Sequence, residues 1–167
     1  LVMVEIKDGG WEYVPPALYK DAPTTGLREV GDPYKIGVFF SITGPGSSLG
    51  VPERDTAQMV IEQVNARGGL LGPDGKLHPI EATIEDDQSD PNEGVLIVKR
   101  QLEAGVPVIV GGTTSGVSMA VIDTLTEAQV PFISNASAGS IILPVAERHW
   151  IFKTPQQNVP VAQVQME

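Results

Sequence analysis

A short apolar run, a glycine-rich loop and the start of a helix follow one another in the stretch Val108-Ile109-Val110-Gly111-Gly112-Thr113-Thr114-Ser115-Gly116. Three β-branched residues in a row are typical of a buried strand. The glycines and threonines that follow interrupt any regular period and favour a tight loop. A helix is then predicted to begin at Ser115 or Gly116 and to run through Ala128. The stretch is therefore a strand–loop–helix unit.

The same unit recurs on both sides of this stretch. Further strands are predicted at residues 36–40, 80–84, 132–134 and 150–152. Strands that alternate with helical segments imply parallel strands joined by right-handed crossovers. The predicted fold class is therefore α/β, with a doubly wound, Rossmann-like parallel sheet and helices on both faces.

Two more helices are predicted from apolar spacing and end signals. One has Ala57, Val60, Ile61 and Val64 on a single face and ends at Gly68-Gly69. The other has its inner face at Val95, Val98 and Leu102.

The second of these helices carries start signals. Asp90 is the expected N-cap and Pro91 occupies the first helical position. Glu93 is expected to reach back to the Asp90 amide, as in a capping box.

Residues 1–33 differ from the rest of the chain in their pattern of apolar and polar residues. Residues 1–14 alternate apolar and polar side chains around Asp8-Gly9-Gly10, which predicts an antiparallel β-hairpin apart from the main sheet. Residues 15–33 are rich in Pro, Thr, Gly and charge without a period, and predict an extended linker.

The composition narrows the class of partner. The formal net charge is −10 and the eleven basic residues are scattered, so neither nucleic acid nor an anionic membrane surface is expected to bind. No apolar run approaches the roughly 20 residues of a membrane span. The absence of cysteine excludes a disulfide framework and a thiolate metal site. The start, with Glu5 and Asp8, does not have a signal-peptide pattern, and we expect that such a segment, if one existed, has been removed.

Three loops rich in small polar residues are expected at the carboxyl ends of the strands, where ligands of open α/β sheets bind. They span residues 43–50, 111–116 and 134–139. The second loop enters a helix, whose free N–H groups and positive dipole end favour an anion. A carboxylate can thus be held at Ser115 without Arg or Lys. Each loop alone is more readily an ordinary turn with a serine cap; three on one edge favour a binding site.

Enzyme motifs are missing from the sequence. The loop at 44–50 lacks the glycine spacing of a dinucleotide site, and no Lys-Ser or Lys-Thr pair completes a phosphate-binding loop. His78 and His149 have no metal-ligand spacing. Asp86 and Asp87 are an acid–base candidate, but a turn-forming or solvated role is favoured. No enzymatic activity, cofactor or metal is therefore expected.

Residues 34–157 resemble the first lobe of the leucine/isoleucine/valine-binding type of extracellular ligand-binding receptor, the type I periplasmic binding proteins of ABC transporters. Five pieces carry the resemblance in order: Lys35-Ile36-Gly37 through Thr43-Gly44-Pro45, Asn65-Ala66-Arg67-Gly68-Gly69, Asp86-Asp87-Gln88-Ser89-Asp90-Pro91, Val110-Gly111-Gly112 and Val130-Pro131-Phe132-Ile133-Ser134. The stretch 150–156 is most similar to relatives that take up aromatic or other hydrophobic carboxylic acids.

The resemblance implies an exported, periplasmic or extracellular protein in which two lobes close on a solute and deliver it to an ABC permease. The expected ligand is a small carboxylate: a hydrophobic or aromatic acid, or a branched-chain amino acid. It also implies that residues 34–154 form lobe one and that 155–167 cross the hinge into a second lobe.

The resemblance also implies a set of ligand-binding residues. The hydroxyl and amide of Ser115 would hold the carboxylate, and the expected site residues are Ser115, Thr114, Ala136, Ser137, Ala138, Leu49 and Asn158. Amino-acid binders of the family often have Thr at the position of Ala138 and an aromatic residue at that of Leu49. Here both differ, which favours a ligand other than an α-amino acid, although Ser137 is a substitute hydroxyl.

Two other readings stay open at this point. The lobe is alternatively a ligand sensor within a receptor or regulator, or an incomplete lobe that acts only after assembly with a second chain. The hairpin at 1–14 resembles the segment that ends the family's chains. We expect the 167-residue chain either to self-associate or pair with another chain, or to be part of a longer polypeptide, and to bind carboxylates only weakly by itself.

Overall fold

The computed structural model describes residues 3–7, 10–14 and 28–156. In chain order the strands and helices are β1 (Met3–Lys7), β2 (Gly10–Val14), β3 (Tyr34–Phe40), α1 (Ser47–Ala66), β4 (Leu70–Leu71), β5 (Leu77–His78), β6 (Ile80–Asp86), α2 (Pro91–Glu103), β7 (Ile109–Gly111), α3 (Ser115–Ala128), β8 (Phe132–Ser134) and β9 (Ile151–Lys153), with 3-10 turns at Gly139–Ile141 and Val145–Glu147.

Five parallel strands form the central sheet in the order β6-β3-β7-β8-β9. Every crossover between them contains a helix or a pair of 3-10 turns, as parallel pairing requires. The predicted α/β class with a doubly wound parallel sheet is confirmed. Two predicted strands are shifted by one residue, because Gly111 pairs with Phe39 and Ser134, and Lys153 pairs with Ser134.

The two faces of the sheet are covered unequally. Phe39, Ile109 and Phe132 pack with α2 and α3 into the main core and are fully buried. On the opposite face α1 covers only part of the sheet, near Phe40. Phe152, on the last strand, is 51% exposed. The apolar surface is thus buried on one side and partly open on the other.

The beginning of α2 follows the predicted signals with one exception. The Asp90 carboxylate accepts a hydrogen bond from the Asn92 amide at 2.8 Å, and Pro91 begins the helix. Glu93 does not close a capping box. Its carboxylate lies 3.4 Å from Arg100, which also pairs with Glu85 at 2.7 Å. The Asp90 amide, which a capping box would use, instead donates to the Asp87 carbonyl at 2.8 Å and is not available to Glu93.

Helix α1 begins earlier than the glycine-rich sequence suggests and ends where predicted. It starts at Ser47 with Pro52 inside it, and Gly68 and Gly69 end it with φ angles of +96° and +109°. Gly50 is the only fully buried residue of α1, because the helix presses against the Ser41 backbone there. The face predicted at 57–64 is only half-buried, with Val60 46% exposed.

The predicted N-terminal hairpin is present as an antiparallel pair, β1 with β2, in a sheet of its own. Residues 8–9 of its predicted turn and residues 15–27 of the predicted linker lie outside the described residues. The part of the linker that is described, residues 28–33, runs beside β5 through a parallel bridge between Val30 and Leu77. The division of the chain into hairpin, linker, lobe and hinge stays a prediction.

Candidate functional site

The carboxyl ends of the five parallel strands lie along one edge of the sheet. Four loops leave this edge, after β3, β6, β7 and β8, and the third runs directly into α3. We call this edge of the sheet the loop edge. It contains the three small-residue loops singled out from the sequence, together with the Asp86-Asp87 turn.

Asp86 ties the loop after β6 to the loop after β3. Its carboxylate accepts hydrogen bonds from the amides of Ile42, Thr43 and Gln88 at 2.8–3.1 Å, and from the Thr43 hydroxyl at 2.6 Å. Burial alone would raise the pKa of Asp86, but these bonds outweigh it and lower the pKa. The turn-forming role predicted for this residue is confirmed.

Asp87 is fully buried, so the solvated role considered for it is wrong. One carboxylate oxygen accepts from the Ser41 hydroxyl at 2.6 Å and from the Ser89 amide at 2.8 Å. The other oxygen has no hydrogen-bond partner among the described residues. Burial raises the pKa of Asp87, and the charge of Asp86 acts in the same direction. Its place is inside the loop edge rather than at a reacting surface.

Thr113 links the loop that precedes α3 to two other elements. Its hydroxyl accepts from the Ser41 amide at 3.0 Å and donates to the Glu53 carboxylate of α1 at 2.6 Å. Thr113 uses its single hydroxyl proton in the bond to Glu53. The lone pairs of the same oxygen are then available to accept from the Ser41 amide. Burial raises the pKa of Glu53, against hydrogen bonds from Thr113 and Asn135.

Two buried serines join the loops after β7 and β8. The Ser118 hydroxyl donates to the Gly112 carbonyl at 2.6 Å, and its oxygen lies 2.8 Å from the Ser134 hydroxyl. Ser134 in turn accepts from the Ala136 amide at 3.0 Å. The four loops are thus connected by hydrogen bonds into one rigid edge.

The N-terminus of α3 opens at this edge. Thr114, not Ser115, is the N-cap, and its hydroxyl accepts from the Val117 amide at 3.5 Å. Ser115 is the first helical residue. Within residues 28–156, neither its amide, its hydroxyl nor the Gly116 amide has a hydrogen-bond partner. These unpaired donors, together with the positive end of the helix dipole, can bind an anion.

The other predicted site residues differ in their availability. Ala136 is only 3% exposed and packs in the main core, and its amide donates to the Ser134 hydroxyl, so the structure does not place it at an open surface. Ser137 is exposed, and its carbonyl accepts from the Lys153 ammonium. Ala138 is half-buried. Leu49, in the first turn of α1, is 60% exposed. Asn158 lies outside the described residues.

The sequence patterns did not predict three residues that support the site, Glu53, Thr113 and Ser41. For Thr113, the only local signal is its position just before the predicted start of α3. Glu53 lies 60 residues earlier in the sequence, on a different helix. Local patterns carry no signal for such a contact.

The Thr113–Glu53 bond is testable by unfolding. Thr113→Val should cost about 2 kcal/mol, since it leaves the buried Ser41 amide unpaired. Glu53→Ala should cost about 1 kcal/mol and Glu53→Gln less, because Gln keeps an acceptor oxygen. Urea unfolding of the single and double variants should show a coupling of about 1 kcal/mol. Strictly additive losses would mean that the two side chains do not support each other.

Two groups of features are not found in the part of the chain that the structure describes. Residues 28–156 contain no cluster of three His, Asp or Glu side chains arranged to hold a metal ion. None of their helices combines the length and apolarity that a membrane span requires.

Residues 28–156 thus form an open parallel α/β lobe with unpaired helix donors at its loop edge. The sequence profile of the periplasmic binding protein family matches residues 33–163. The chain belongs to that family, and the resemblance inferred from the five sequence pieces is confirmed.

Named relatives agree with this. The chain is 32% identical to the Leu/Ile/Val-binding protein BraC3 of Rhizobium johnstonii over 92 residues, which cover 55% of this chain and 24% of that protein. It is 31% identical over 103 residues to the leucine-, isoleucine-, valine-, threonine- and alanine-binding protein of Pseudomonas aeruginosa, covering 62% and 26%. The chain therefore spans about a quarter of the length of these relatives.

Solved structures show the same lobe. The substrate-binding protein LivJ of a branched-chain amino acid transporter from Streptococcus pneumoniae, in complex with isoleucine, superposes with a TM-score of 0.66 at 29% identity, covering 75% of this chain and 34% of that one. A type 1 periplasmic binding protein from Bordetella pertussis gives a TM-score of 0.64 at 30% identity, covering 76% and 35%.

Proposed function

We propose that this chain supplies the first lobe of a solute-binding protein that captures a small carboxylate for an ABC permease in the periplasm or outside the cell. The observation that carries the proposal is the N-terminus of α3, where the Ser115 amide, the Ser115 hydroxyl and the Gly116 amide are unpaired within the described residues. Three donors at a positive dipole end suit a carboxylate. The relatives named above, which bind branched-chain amino acids, support the same chemistry.

The rest of the ligand would lie between Leu49 and the loop after β8. Leu49 presents an exposed apolar side chain, and Ala138 provides no hydroxyl. A buried ammonium group needs hydrogen-bond acceptors, and in this lobe Ser137 uses its carbonyl for Lys153. The proposed ligand is therefore a hydrophobic or aromatic carboxylic acid in preference to an α-amino acid.

Two substitutions at Ser115 test the carboxylate site. Ser115→Ala removes the hydroxyl alone and should weaken binding by about 1–2 kcal/mol, the scale of a hydrogen bond to a charged group. Ser115→Pro also removes the amide, and proline is well tolerated at the first helical position. The extended backbone of Thr114, with ψ of 149°, suits a following proline. The proline variant should therefore fold and bind more weakly than the alanine variant.

The measurement is an NMR titration of the ¹⁵N-labelled chain, with calorimetry in a polypeptide that joins this lobe to a second one. The matched ligands are L-leucine and 4-methylpentanoate, which differ only in the α-amino group. We expect shifts at the Ser115 and Gly116 amides and tighter binding of 4-methylpentanoate. Ser140→Ala, an exposed serine in a 3-10 turn, is the control. Unchanged affinity in Ser115→Pro would reject the site, and tighter binding of leucine would reject the ligand class.

A further inference from the structure

His78 lies in a closed slot at the edge of the sheet opposite the loop edge. It is only 8% exposed, and its ring stacks on Tyr34 with centroids 4.3 Å apart and planes 10° from parallel. Gly31 and Gly72 flank the ring: a Cβ atom on Gly72 would come within 2.6 Å of it, and one on Gly31 within 2.8 Å of Nδ1. The slot therefore fixes the ring in one orientation.

Both ring nitrogens of His78 face hydrogen-bond acceptors. Nδ1 lies 2.7 Å from the Asp32 carbonyl oxygen, and Nε2 lies 3.0 Å from a carboxylate oxygen of Asp74. A neutral imidazole has one N–H, so one of these contacts would set a lone pair against an acceptor. Rotating the ring does not help, because neither partner can donate. Only the imidazolium satisfies both contacts.

The charged groups around the ring favour the same form. Asp74 lies on the turn between β4 and β5, Asp32 on the segment before β3, and Tyr34 on β3 itself. Lys76, two residues after Asp74, pairs with Glu29 at 3.1 Å. The bond to Asp74, followed by that to the Asp32 carbonyl, raises the pKa of His78 against the effect of burial. The same contact lowers the pKa of Asp74.

The two partners of the ring belong to different parts of the chain. Asp32 belongs to residues 28–33, and Asp74 to the β4–β5 hairpin. Two backbone bonds also join these parts, from the Leu77 amide to the Glu29 carbonyl at 3.0 Å and from the Gly31 amide to the Leu77 carbonyl at 2.9 Å. The ring therefore crosslinks the segment that enters the lobe to the hairpin.

We propose that protonated His78 is a pH-dependent clasp that holds residues 28–33 on the β4–β5 hairpin. The clasp is fully closed below the ordinary imidazole pKa of about 6.5. It weakens as the pH rises through the higher value of the folded protein, since deprotonation removes one of the two N–H donors. Histidine is the side chain suited to such a transition near neutral pH.

The test follows the ring and the segment separately in the full chain. Ring ¹⁵N shifts should show both nitrogens of His78 predominantly protonated at pH 6.5, about the ordinary imidazole pKa, and the exposed His149 is recorded in the same spectra for comparison. Amide exchange of Gly31, corrected for its intrinsic pH dependence and compared with the core amide of Gly37, should lose about tenfold of its protection when the ring deprotonates, the scale of one lost hydrogen bond.

Two variants separate the clasp from a simple packing role. Asp74→Asn keeps the ring in its slot but replaces the carboxylate, and should move the midpoint of His78 titration to lower pH together with the loss of Gly31 protection. His78→Gln should leave Gly31 poorly protected at every pH. A predominantly neutral His78 ring at pH 6.5, or Gly31 protection that does not change through the titration, would overturn the proposal.

Discussion

Replacing Gly111 with alanine is expected to cost at least about 4 kcal/mol of the free energy of unfolding, a loss that few single substitutions reach. Gly111 has a φ of +145°, which side chains rarely adopt, and a Cβ atom there would overlap the carbonyl oxygen of Phe39 on the neighbouring strand. That oxygen already accepts from the Gly112 amide at 3.0 Å. Because β3 and β7 are both interior strands of the sheet, neither can move away to relieve this overlap.

Gly105→Ala is the matched control for this effect. Gly105 also has a positive φ, +73°, but no atom lies within 4 Å of the position of its Cβ. The Gly105→Ala variant should lose only the free energy that a left-handed backbone conformation costs an alanine, about 1–2 kcal/mol. Urea unfolding of both variants gives the comparison. Equal losses would mean that the close approach of β3 and β7 at Gly111 is not what requires glycine.

Phe39→Ala is expected to cost about 3–5 kcal/mol, the usual range for removing a buried aromatic side chain. Phe39 is fully buried, and its ring stacks on Phe132 with centroids 5.9 Å apart. The loss includes the apolar transfer of the ring, the cavity left between the sheet and α2, and the aromatic pair, which is worth about 0.5–1.5 kcal/mol. Against a typical total stability of about 5–15 kcal/mol, this loss is severe.

Phe152→Ala tests whether location rather than residue type determines that loss. Phe152 is on the last strand of the same sheet, but it is 51% exposed on the partly covered face. Its replacement should cost less than about 1.5 kcal/mol, since half of its surface is already in water. The midpoint of urea unfolding, at an unchanged slope, reports both values. A loss from Phe152→Ala as large as that from Phe39→Ala would show that the second face is covered.

The three helices and the strands of the central sheet were predictable because their signals are local. Helix α3 spans Ser115–Ala128 as expected, and α2 begins at Pro91 after its Asp90 cap. The failures lie where another group changed the expected pairing or packing. The Asp90 amide bonds to the Asp87 carbonyl, and Glu93 pairs with Arg100. Helix α1 extends to Ser47, through a segment that its glycines predict to be loop, because Gly50 lets it pack on the Ser41 backbone.

The candidate site divides in the same way. Ser115 was predictable because a glycine-rich loop leads into a helix, a pattern visible in a few consecutive residues. The bonds that hold this loop in place join residues far apart in sequence: Thr113 to Glu53, Ser41 to Asp87, and His78 to Asp32 at the other edge. The side chains themselves are ordinary in the sequence.

The sequence by itself determined the order of the central-sheet strands along the chain and of the three helices between them, the α/β class, the family and the helix N-terminus proposed to hold a carboxylate. These follow from periodicity, capping residues and glycine placement, each of which acts within about one turn or one strand. Only the tertiary structure decided that Asp87 is buried, that Glu53 orients Thr113, and that both nitrogens of His78 meet acceptors. The reason is that such contacts depend on the strand order β6-β3-β7-β8-β9, and alternating strands and helices are compatible with several orders.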